Sequence, residues 1–152
     1  MTSALIPPTI PALASLRPAE LVRCTLSALN RRDIPAATAS FGDRFTFVDH
    51  AVGFTFMAKE QLADFFQKAI NVLQESLIDV ESTAECGGHV IARWTLRGIA
   101  TQELGALAHR QRVCVTGVSI AEVTDGAIAS WADFYDASRS WRFSLVGSYA
   151  NY

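Results

Sequence analysis

Two aspartates lie at the ends of segments in which polar and hydrophobic residues alternate. Asp49 shares one side of a predicted strand with Phe47, and Asp133 shares one side of another with Trp131 and Tyr135. Where those sides face an internal cavity, the carboxyl groups are poorly solvated, which destabilises their charged forms and raises their pKa values. A raised pKa is what a general acid or base needs near neutral pH. Asp133 and Asp49 are therefore candidate catalytic residues.

His50 directly follows Asp49 and is a third candidate catalytic residue. Neighbouring residues of a regular strand point to opposite faces, so a regular strand directs His50 away from Asp49. A twist or bulge at the end of the strand would bring both side chains to one side. The sequence leaves both arrangements open.

Large aromatic residues are candidates for contacts with a flat ligand. Trp94, Trp131 and Tyr135 can stack on a ring, and the Tyr135 hydroxyl can donate a hydrogen bond to a carbonyl group. The same side chains can also serve as ordinary packing residues of a core. The sequence alone does not choose between the two roles.

The cysteines and histidines show no metal-binding pattern. Cys24, Cys86 and Cys114 lack the spacing of zinc ligands, and no Cys-x-x-Cys pair occurs. We therefore expect neither a metal site nor a cofactor. An odd number of cysteines fits reduced thiols and favours a cytoplasmic location.

The totals limit the kind of partner. The chain has 152 residues, of which 50% are hydrophobic and 18% are charged, as is typical of one globular domain. The formal net charge is −2, and no basic block occurs, so nucleic acid and anionic membranes are not expected partners. No apolar stretch is long enough to span a bilayer.

Three helices are predicted in the first half of the chain. Residues 18–30 show apolar residues at helical spacing, and a proline suits the first helical position. Asp33 is predicted to cap a short second helix that has Pro35 in its first turn. Residues 58–73 form the third predicted helix, which has an apolar face.

Strands dominate the second half. Gly87-Gly88 and Asp125-Gly126 are predicted tight turns, because these residues tolerate positive φ angles. Helices followed by hairpin-linked strands indicate an α+β fold. We expect the helices to pack in a strongly curved antiparallel sheet that forms a cone-shaped barrel with an internal pocket. The predicted strands are residues 45–49, 77–84, 90–99, 113–123 and 127–136.

The expected organisation is one domain with two flanking segments. Residues 1–16 are apolar and rich in proline, and the first cation is Arg17, so they resemble a flexible N-terminal arm rather than a signal peptide. Residues 17–140 are predicted to form the domain, and residues 141–152 an aromatic C-terminal tail.

The second half also resembles a known family. The runs RWTLRG at 93–98 and VTGVSIAEVTDGAIASWADFYD at 115–136 are similar to the closing strands of SnoaL-like, polyketide cyclase-like proteins. The run FVDHAVG at 47–53 resembles the segment that carries the general base in ketosteroid isomerases of the same superfamily. The resemblance covers roughly residues 18–136. It implies the cystatin-like, nuclear transport factor 2-like fold.

The resemblance also assigns roles. Asp133 corresponds to the acid/base aspartate of the cyclases and Asp49 to that of the isomerases. Phe47 and Val118 are implied to contact the ligand, with Val118 at about the position of the isomerases' second acid. The cyclases pair their aspartate with a histidine on the neighbouring strand, whereas residues 116–119 contain none.

Two classes of function follow. The first is a cofactor-free acid/base enzyme, of cyclase or isomerase type, acting on a small hydrophobic carbonyl compound or polyketide-like ring. The second is a non-catalytic module of the same fold for small-molecule binding or dimerisation, favoured by the absent histidine and second acid. The resemblance implies a homodimer in either case.

Overall fold

The computed structural model describes residues 12–101 and 112–137. The predicted 102–112 connection therefore lies almost entirely outside the described residues, as do the C-terminal tail and residues 1–11 of the N-terminal arm. The helices are α1 (Pro18–Asn30), α2 (Ile34–Ala39) and α3 (Lys59–Val72), and the strands are β1 (Phe41–Asp49), β2 (Phe54–Phe56), β3 (Leu73–Cys86), β4 (His89–Ala100), β5 (Arg112–Thr124) and β6 (Ala127–Tyr135).

The helices begin where the sequence predicts. Pro18 is the first residue of α1, and the apolar face of this helix is buried from Leu21 to Ala28. The Asp33 side chain accepts a hydrogen bond from the backbone N–H of Ala36 at 3.1 Å, which caps α2 as expected. Preceding α1, Leu13–Ser15 form a 3-10 turn, and Leu16 packs against the core. No helix among residues 12–101 and 112–137 is long and apolar enough to cross a bilayer.

The six strands form one sheet in the order β2-β1-β6-β5-β4-β3. All neighbours are antiparallel except β1 and β6, which run parallel. The edge strands β2 and β3 are not hydrogen-bonded to each other, so the curved sheet is not a closed barrel. The predicted α+β architecture, helices packed in a strongly curved sheet, is otherwise confirmed.

The predicted turns place the hairpins. Gly87 and Gly88 have φ angles of 55° and 83°, and Asp125 and Gly126 have 52° and 75°. These left-handed conformations match the residues with the lowest steric cost there. The two turns connect β3 to β4 and β5 to β6, and they bring the long strands of the second half side by side.

Two strands extend further than their sequence pattern indicates. The register of β1 shifts between Phe41 and Thr46, and two consecutive exposed residues, Asp43 and Arg44, conceal the alternation at its start. Strand β3 begins directly after α3, at Leu73, and its register shifts between Gln74 and Leu77. The positive φ of Glu75, 50°, accompanies this irregularity. Strand β2 is too short to show a periodic pattern.

The core lies between the concave face of the sheet and the helices. From α1 and α3, Leu21, Val22 and Leu62 contribute side chains that are completely buried. From the sheet, Phe41 and Phe47 contribute rings that are at most 2% exposed. The core is continuous up to the ends of β1 and β6, where polar groups enter it.

Candidate active site

A cavity of about 110 Å³ separates the concave face of the sheet from α1 and α3. Its wall is apolar apart from a few polar side chains, which all belong to the sheet except for Thr25 of α1. An apolar wall with a few convergent polar groups is typical of small-molecule binding sites. The lining residues are Thr25, Leu26, Leu29, Phe41, Phe47, Asp49, Phe65, Phe66, Ala69, Ile78, Trp94, Leu96, Ser119, Trp131, Asp133 and Tyr135.

Asp133 projects into this cavity from β6. Its Oδ1 accepts hydrogen bonds from Ser119 Oγ at 2.5 Å and from Trp131 Nε1 at 2.6 Å. Ser119 lies directly opposite Asp133 on β5. No residue in the described part of the chain donates a hydrogen bond to the second oxygen, Oδ2. The carboxyl group is thus held from one side and leaves the other oxygen for the cavity.

Trp94 completes the contacts of Ser119. Its Nε1 donates to Ser119 Oγ at 2.8 Å, and its ring is 6% exposed. Gly117 faces Trp94 across the β4–β5 pair, and a Cβ at that position would lie 2.4 Å from Trp94 Cη2. The absent side chain therefore makes room for the indole to reach Ser119.

Asp49 occupies the end of β1, and its contacts are different. Its Oδ1 accepts hydrogen bonds from the backbone N–H groups of Ala51 at 3.0 Å and Val52 at 3.2 Å. Tyr135 Oη donates to Oδ2 at 2.8 Å. Both oxygens of Asp49 are thus engaged, and the residue is only 2% exposed. Asp49 both closes the turn after β1 and orients Tyr135.

Burial raises the pKa of both carboxyl groups. The pKa of Asp133 is raised to about 7, chiefly by burial and further by the charge of Asp49, against the lowering effect of the bonds from Ser119 and Trp131. Burial also raises the pKa of Asp49, against the hydrogen bonds of Tyr135 and the backbone. With a pKa near 7, Asp133 can both give and take a proton at neutral pH.

Most of the residues singled out from the sequence lie at this cavity. Strand parity places Phe47 with Asp49 on β1, and Trp131 and Tyr135 with Asp133 on β6, and all of them line it. Trp94 joins them from β4. Trp94 and Trp131 also bind polar groups through their ring nitrogens, so they do more than fill the core.

The structure corrects the placement of His50. Its side chain is exposed and stacks on Phe134 on the convex face, with ring centroids 4.4 Å apart. Strand β1 is regular from Thr46 to Asp49, so neighbours there point to opposite faces and His50 turns away from the cavity. Only its backbone reaches the site, where its N–H donates to the carbonyl oxygen of Asp133 at 3.0 Å.

The structure also corrects the placement of Val118, which lies outside the cavity lining while Ser119 faces inward. A count from the Asp125-Gly126 turn without irregularities sets Val118 opposite Asp133. The register shifts between Glu122 and Val123, however, and Ser119 becomes the partner of Asp133. Because of this bulge, the residues of β5 that share a face with Asp133 are Gly117 and Ser119 rather than Val118. The missed site residue is therefore Ser119.

The described regions support neither a metal site nor a role for Arg93 and Arg97 inside the cavity. No group of three or more His, Cys, Asp or Glu side chains among them could hold a metal ion. Arg93 and Arg97 lie on the convex face, where they pair with Glu81 at 2.8 Å and Asp79 at 3.8 Å. The three cysteines are exposed and free.

The fold and its cavity define a class, because solved proteins of ketosteroid isomerase-like and nuclear transport factor 2-like fold superpose on the chain. The sequence matches the SnoaL-like domain over residues 22–131, which is more than half of its length. The chain therefore belongs to the SnoaL-like family. No curated protein sequence matches it.

Three solved structures illustrate the similarity. A protein of ketosteroid isomerase-like fold from Catenulispora acidiphila, in complex with trimethylamine, is 21% identical, with a TM-score of 0.71 over 80% of this chain and 88% of that chain. A proposed polyketide cyclase from Xanthomonas campestris is 23% identical, with a TM-score of 0.72 over 85% and 96%. A proposed SnoaL-like polyketide cyclase from Shewanella putrefaciens is 14% identical, with a TM-score of 0.72 over 87% and 98%. At these identities the similarity shows the fold.

Proposed function

We propose that the protein is a cofactor-free acid/base enzyme that binds a small hydrophobic carbonyl compound or polyketide-like ring in the cavity. Asp133 is the proton-transfer group. In the step that we propose, the C–H bond next to the carbonyl breaks, and the proton goes to Asp133 Oδ2. The electron pair of that bond forms the C=C bond of an enolate, and the carbonyl oxygen takes the negative charge. Return of the proton to carbon completes the cycle.

One observation carries this proposal. The carboxyl group of Asp133 lines an apolar cavity, with Oδ1 held by two donors and Oδ2 without a hydrogen bond from the described residues. Its pKa of about 7 leaves comparable amounts of acid and base at neutral pH. Solved proteins of the same fold that are proposed polyketide cyclases support the choice of a ring-shaped carbonyl substrate.

The test is proton exchange in D₂O, followed by NMR, with cyclohexanone, 1-indanone and 1-tetralone as probes. We expect the wild-type protein to accelerate deuterium uptake next to the carbonyl of at least one probe. Asp133→Asn removes the proton acceptor while keeping the shape, and it should slow the catalysed exchange by roughly 100- to 10,000-fold. Asp43→Asn is the matched control, because Asp43 is exposed on the same sheet, and it should exchange at the wild-type rate.

A second measurement separates catalysis from binding. Trp94 and Trp131 line the cavity, so a bound probe should quench tryptophan fluorescence. Probes that bind without faster exchange would support the alternative, a non-catalytic small-molecule-binding module. The trimethylamine complex of the Catenulispora protein supports that alternative for this fold. Exchange that is equally fast in Asp133→Asn removes Asp133 from the mechanism.

We also propose that the protein is a homodimer joined through the convex face of the sheet. Three large apolar side chains are exposed there, with exposed fractions of 48% for Ile91, 39% for Ile120 and 42% for Phe134. Ile91 and Ile120 are direct partners on β4 and β5, and Val118 faces Phe134 on β5 and β6, so the patch is continuous. This face is also what a pure dimerisation module would use.

Light scattering during size-exclusion chromatography tests the dimer. The wild-type protein should elute with twice the mass of one chain. Ile120→Glu introduces a charge into the patch and should give monomers, whereas Gln67→Glu on the exposed side of α3 should not. A monomeric wild-type protein at tens of micromolar contradicts the proposal.

A further inference from the structure

We propose that Ser119 is a positioning residue that, with Trp94 and Trp131, fixes which oxygen of Asp133 exchanges protons with the ligand. The inference rests on the proposed role of Asp133 and deepens it. It makes Oδ1 a permanent hydrogen-bond acceptor and Oδ2 the atom that carries the proton.

The directions of the hydrogen bonds follow from the groups involved. An indole N–H can only donate, so Ser119 Oγ accepts the bond from Trp94 at 2.8 Å. The single hydroxyl hydrogen of Ser119 is then free to point only to its other partner, Asp133 Oδ1 at 2.5 Å. Trp131 Nε1 also can only donate, and it donates to the same oxygen at 2.6 Å. Two donors of fixed direction therefore converge on Oδ1.

This convergence distinguishes the two oxygens of one carboxyl group. Oδ1 accepts the bond from Trp131 whether Asp133 is ionised or neutral, because an indole N–H can only donate. Since Trp94 already donates to the Ser119 hydroxyl group, Ser119 directs its own hydrogen to Oδ1. A proton that Asp133 gains is placed on Oδ2, for which the described residues supply no recorded hydrogen-bond partner. Oδ2 is then a donor toward the cavity in the neutral form and an acceptor in the ionised form. The arrangement is ready for proton transfer without a rearrangement of Asp133.

The strands hold the chain of bonds in place. Trp94 and Gly117 are direct partners on β4 and β5, and Ser119 and Asp133 are direct partners on β5 and β6. Because Gly117 has no side chain, the indole of Trp94 lies across β5 and reaches Ser119 two residues further on. Ser119 is only 1% exposed, so water does not compete for its hydroxyl group.

Two other titratable groups, those of Asp49 and Tyr135, line the cavity together with Asp133. Asp49 faces it from β1, and Tyr135 lies on the same side of β6, two residues beyond. From α1 and α3 the cavity receives only Thr25 and apolar side chains. The effect of Ser119 is therefore exerted against the background of Asp49 and Tyr135.

The experiment measures the titration of Asp133 directly, by carboxyl ¹³C NMR on the full chain without substrate. The Asp133 signal is assigned from its loss in Asp133→Asn. Ser119→Ala removes a donor that stabilises the ionised form, so it should raise the pKa of Asp133 by about one unit. Ser119→Thr keeps the hydroxyl group and should return the pKa to within a few tenths of the wild-type value.

Two further variants complete the design. Gly117→Ala removes no polar group but displaces the Trp94 indole, so it should raise the pKa in the same direction as Ser119→Ala. Because it leaves Ser119 in place, it also tests the proposal where Ser119→Ala fails to fold. Ser82→Ala, at an exposed serine of β3, should leave the titration unchanged.

An unchanged pKa in folded Ser119→Ala overturns the proposal. Equal shifts in Ser119→Ala and Ser119→Thr also overturn it, because the effect would then come from packing rather than from the hydroxyl group. The outcome is independent of catalysis: a shifted titration together with undiminished exchange in Asp133→Asn supports the hydrogen-bonding role of Ser119 and refutes Asp133 as the proton-transfer group.

Discussion

Asp49 and Asp133 are direct partners in the parallel register of β1 and β6, yet the two strand ends hold their carboxyl groups in different ways. At the end of β1 the chain turns, and the backbone N–H groups of Ala51 and Val52 reach Asp49. Asp133 lies within the β5–β6 hairpin, and its carboxyl group accepts hydrogen bonds from side chains of β5 and β6.

Two residues at paired positions in one cavity can therefore have distinct roles. Asp49 has both oxygens engaged, one of them by backbone groups that cannot rotate away. Asp133 lines the cavity and has hydrogen bonds from the described residues at one oxygen, Oδ1. The negative charge of Asp49 also favours the protonated form of Asp133 and raises its pKa. One carboxyl group thus maintains the site, while the other is available for chemistry.

The largest effect on stability that we expect from this difference is a dependence on pH. The pKa of Asp133 is raised from 3.8 to about 7 in the folded protein, so between these values the folded state binds more protons than the unfolded chain. The contribution of Asp133 to the free energy of unfolding therefore falls as the pH rises from about 4 to 7, by roughly 4 kcal/mol at most.

Urea unfolding at pH 5 and pH 8 tests this dependence. Asp133→Asn cannot ionise, so its stability relative to the wild-type protein should increase from pH 5 to pH 8. The contribution of Asp49 has the same sign and is present in both proteins, so it largely cancels. Asp43→Asn should follow the wild-type curve. Parallel curves for the wild-type protein and Asp133→Asn would show that burial does not perturb Asp133.

Strand parity is the reason that much of the site was predictable. A period of two fixes which residues share a face, so Phe47 and Asp49 were correctly grouped, as were Trp131, Asp133 and Tyr135. The same parity directs His50 outward. Only an irregularity near the end of β1 would have reversed it, and the register shift of β1 lies before Thr46. The elements themselves were predicted from turn residues, a proline and apolar spacing.

Register between strands was not predictable in the same way. The turn at Asp125-Gly126 fixes where the β5–β6 hairpin begins, but a bulge at Ala129 adds one residue to β6. That single residue replaces Val118 by Ser119 opposite Asp133. Bulges depend on the packing of the whole sheet, and a single sequence does not reveal them. The sequence feature that could have indicated Ser119 as a site residue is its position two residues after Gly117, on the same face of β5.

The next prediction concerns Asp49, whose two carboxylate oxygens both accept hydrogen bonds. Asp49→Ala leaves the N–H groups of Ala51 and Val52 and the hydroxyl group of Tyr135 without their acceptor. It should lower the free energy of unfolding by about 2–3 kcal/mol. The measurement is best made at pH 5, where the cost of a charged Asp49 is smaller. Asp43→Ala, an exposed position of the same strand, should change stability by less than about 0.5 kcal/mol. Equal losses in the two variants contradict the proposed role of Asp49.

The smallest expected effect concerns the hydrogen bond from Tyr135 on β6 to Asp49 on β1. Tyr135→Phe removes the hydroxyl group that donates to Asp49 Oδ2 but keeps the ring beside Trp94, where the centroids are 5.9 Å apart. Stability should fall by about 1 kcal/mol. The pKa of Asp49 should rise further, because the lost donor favours its charged form. Carboxyl ¹³C titration of Asp49 and Asp133 in this variant measures both shifts, and that of Asp49 should be the larger. A larger shift at Asp133 would mean that Tyr135 serves the proton-transfer group, and the separation of roles between the two aspartates would be wrong.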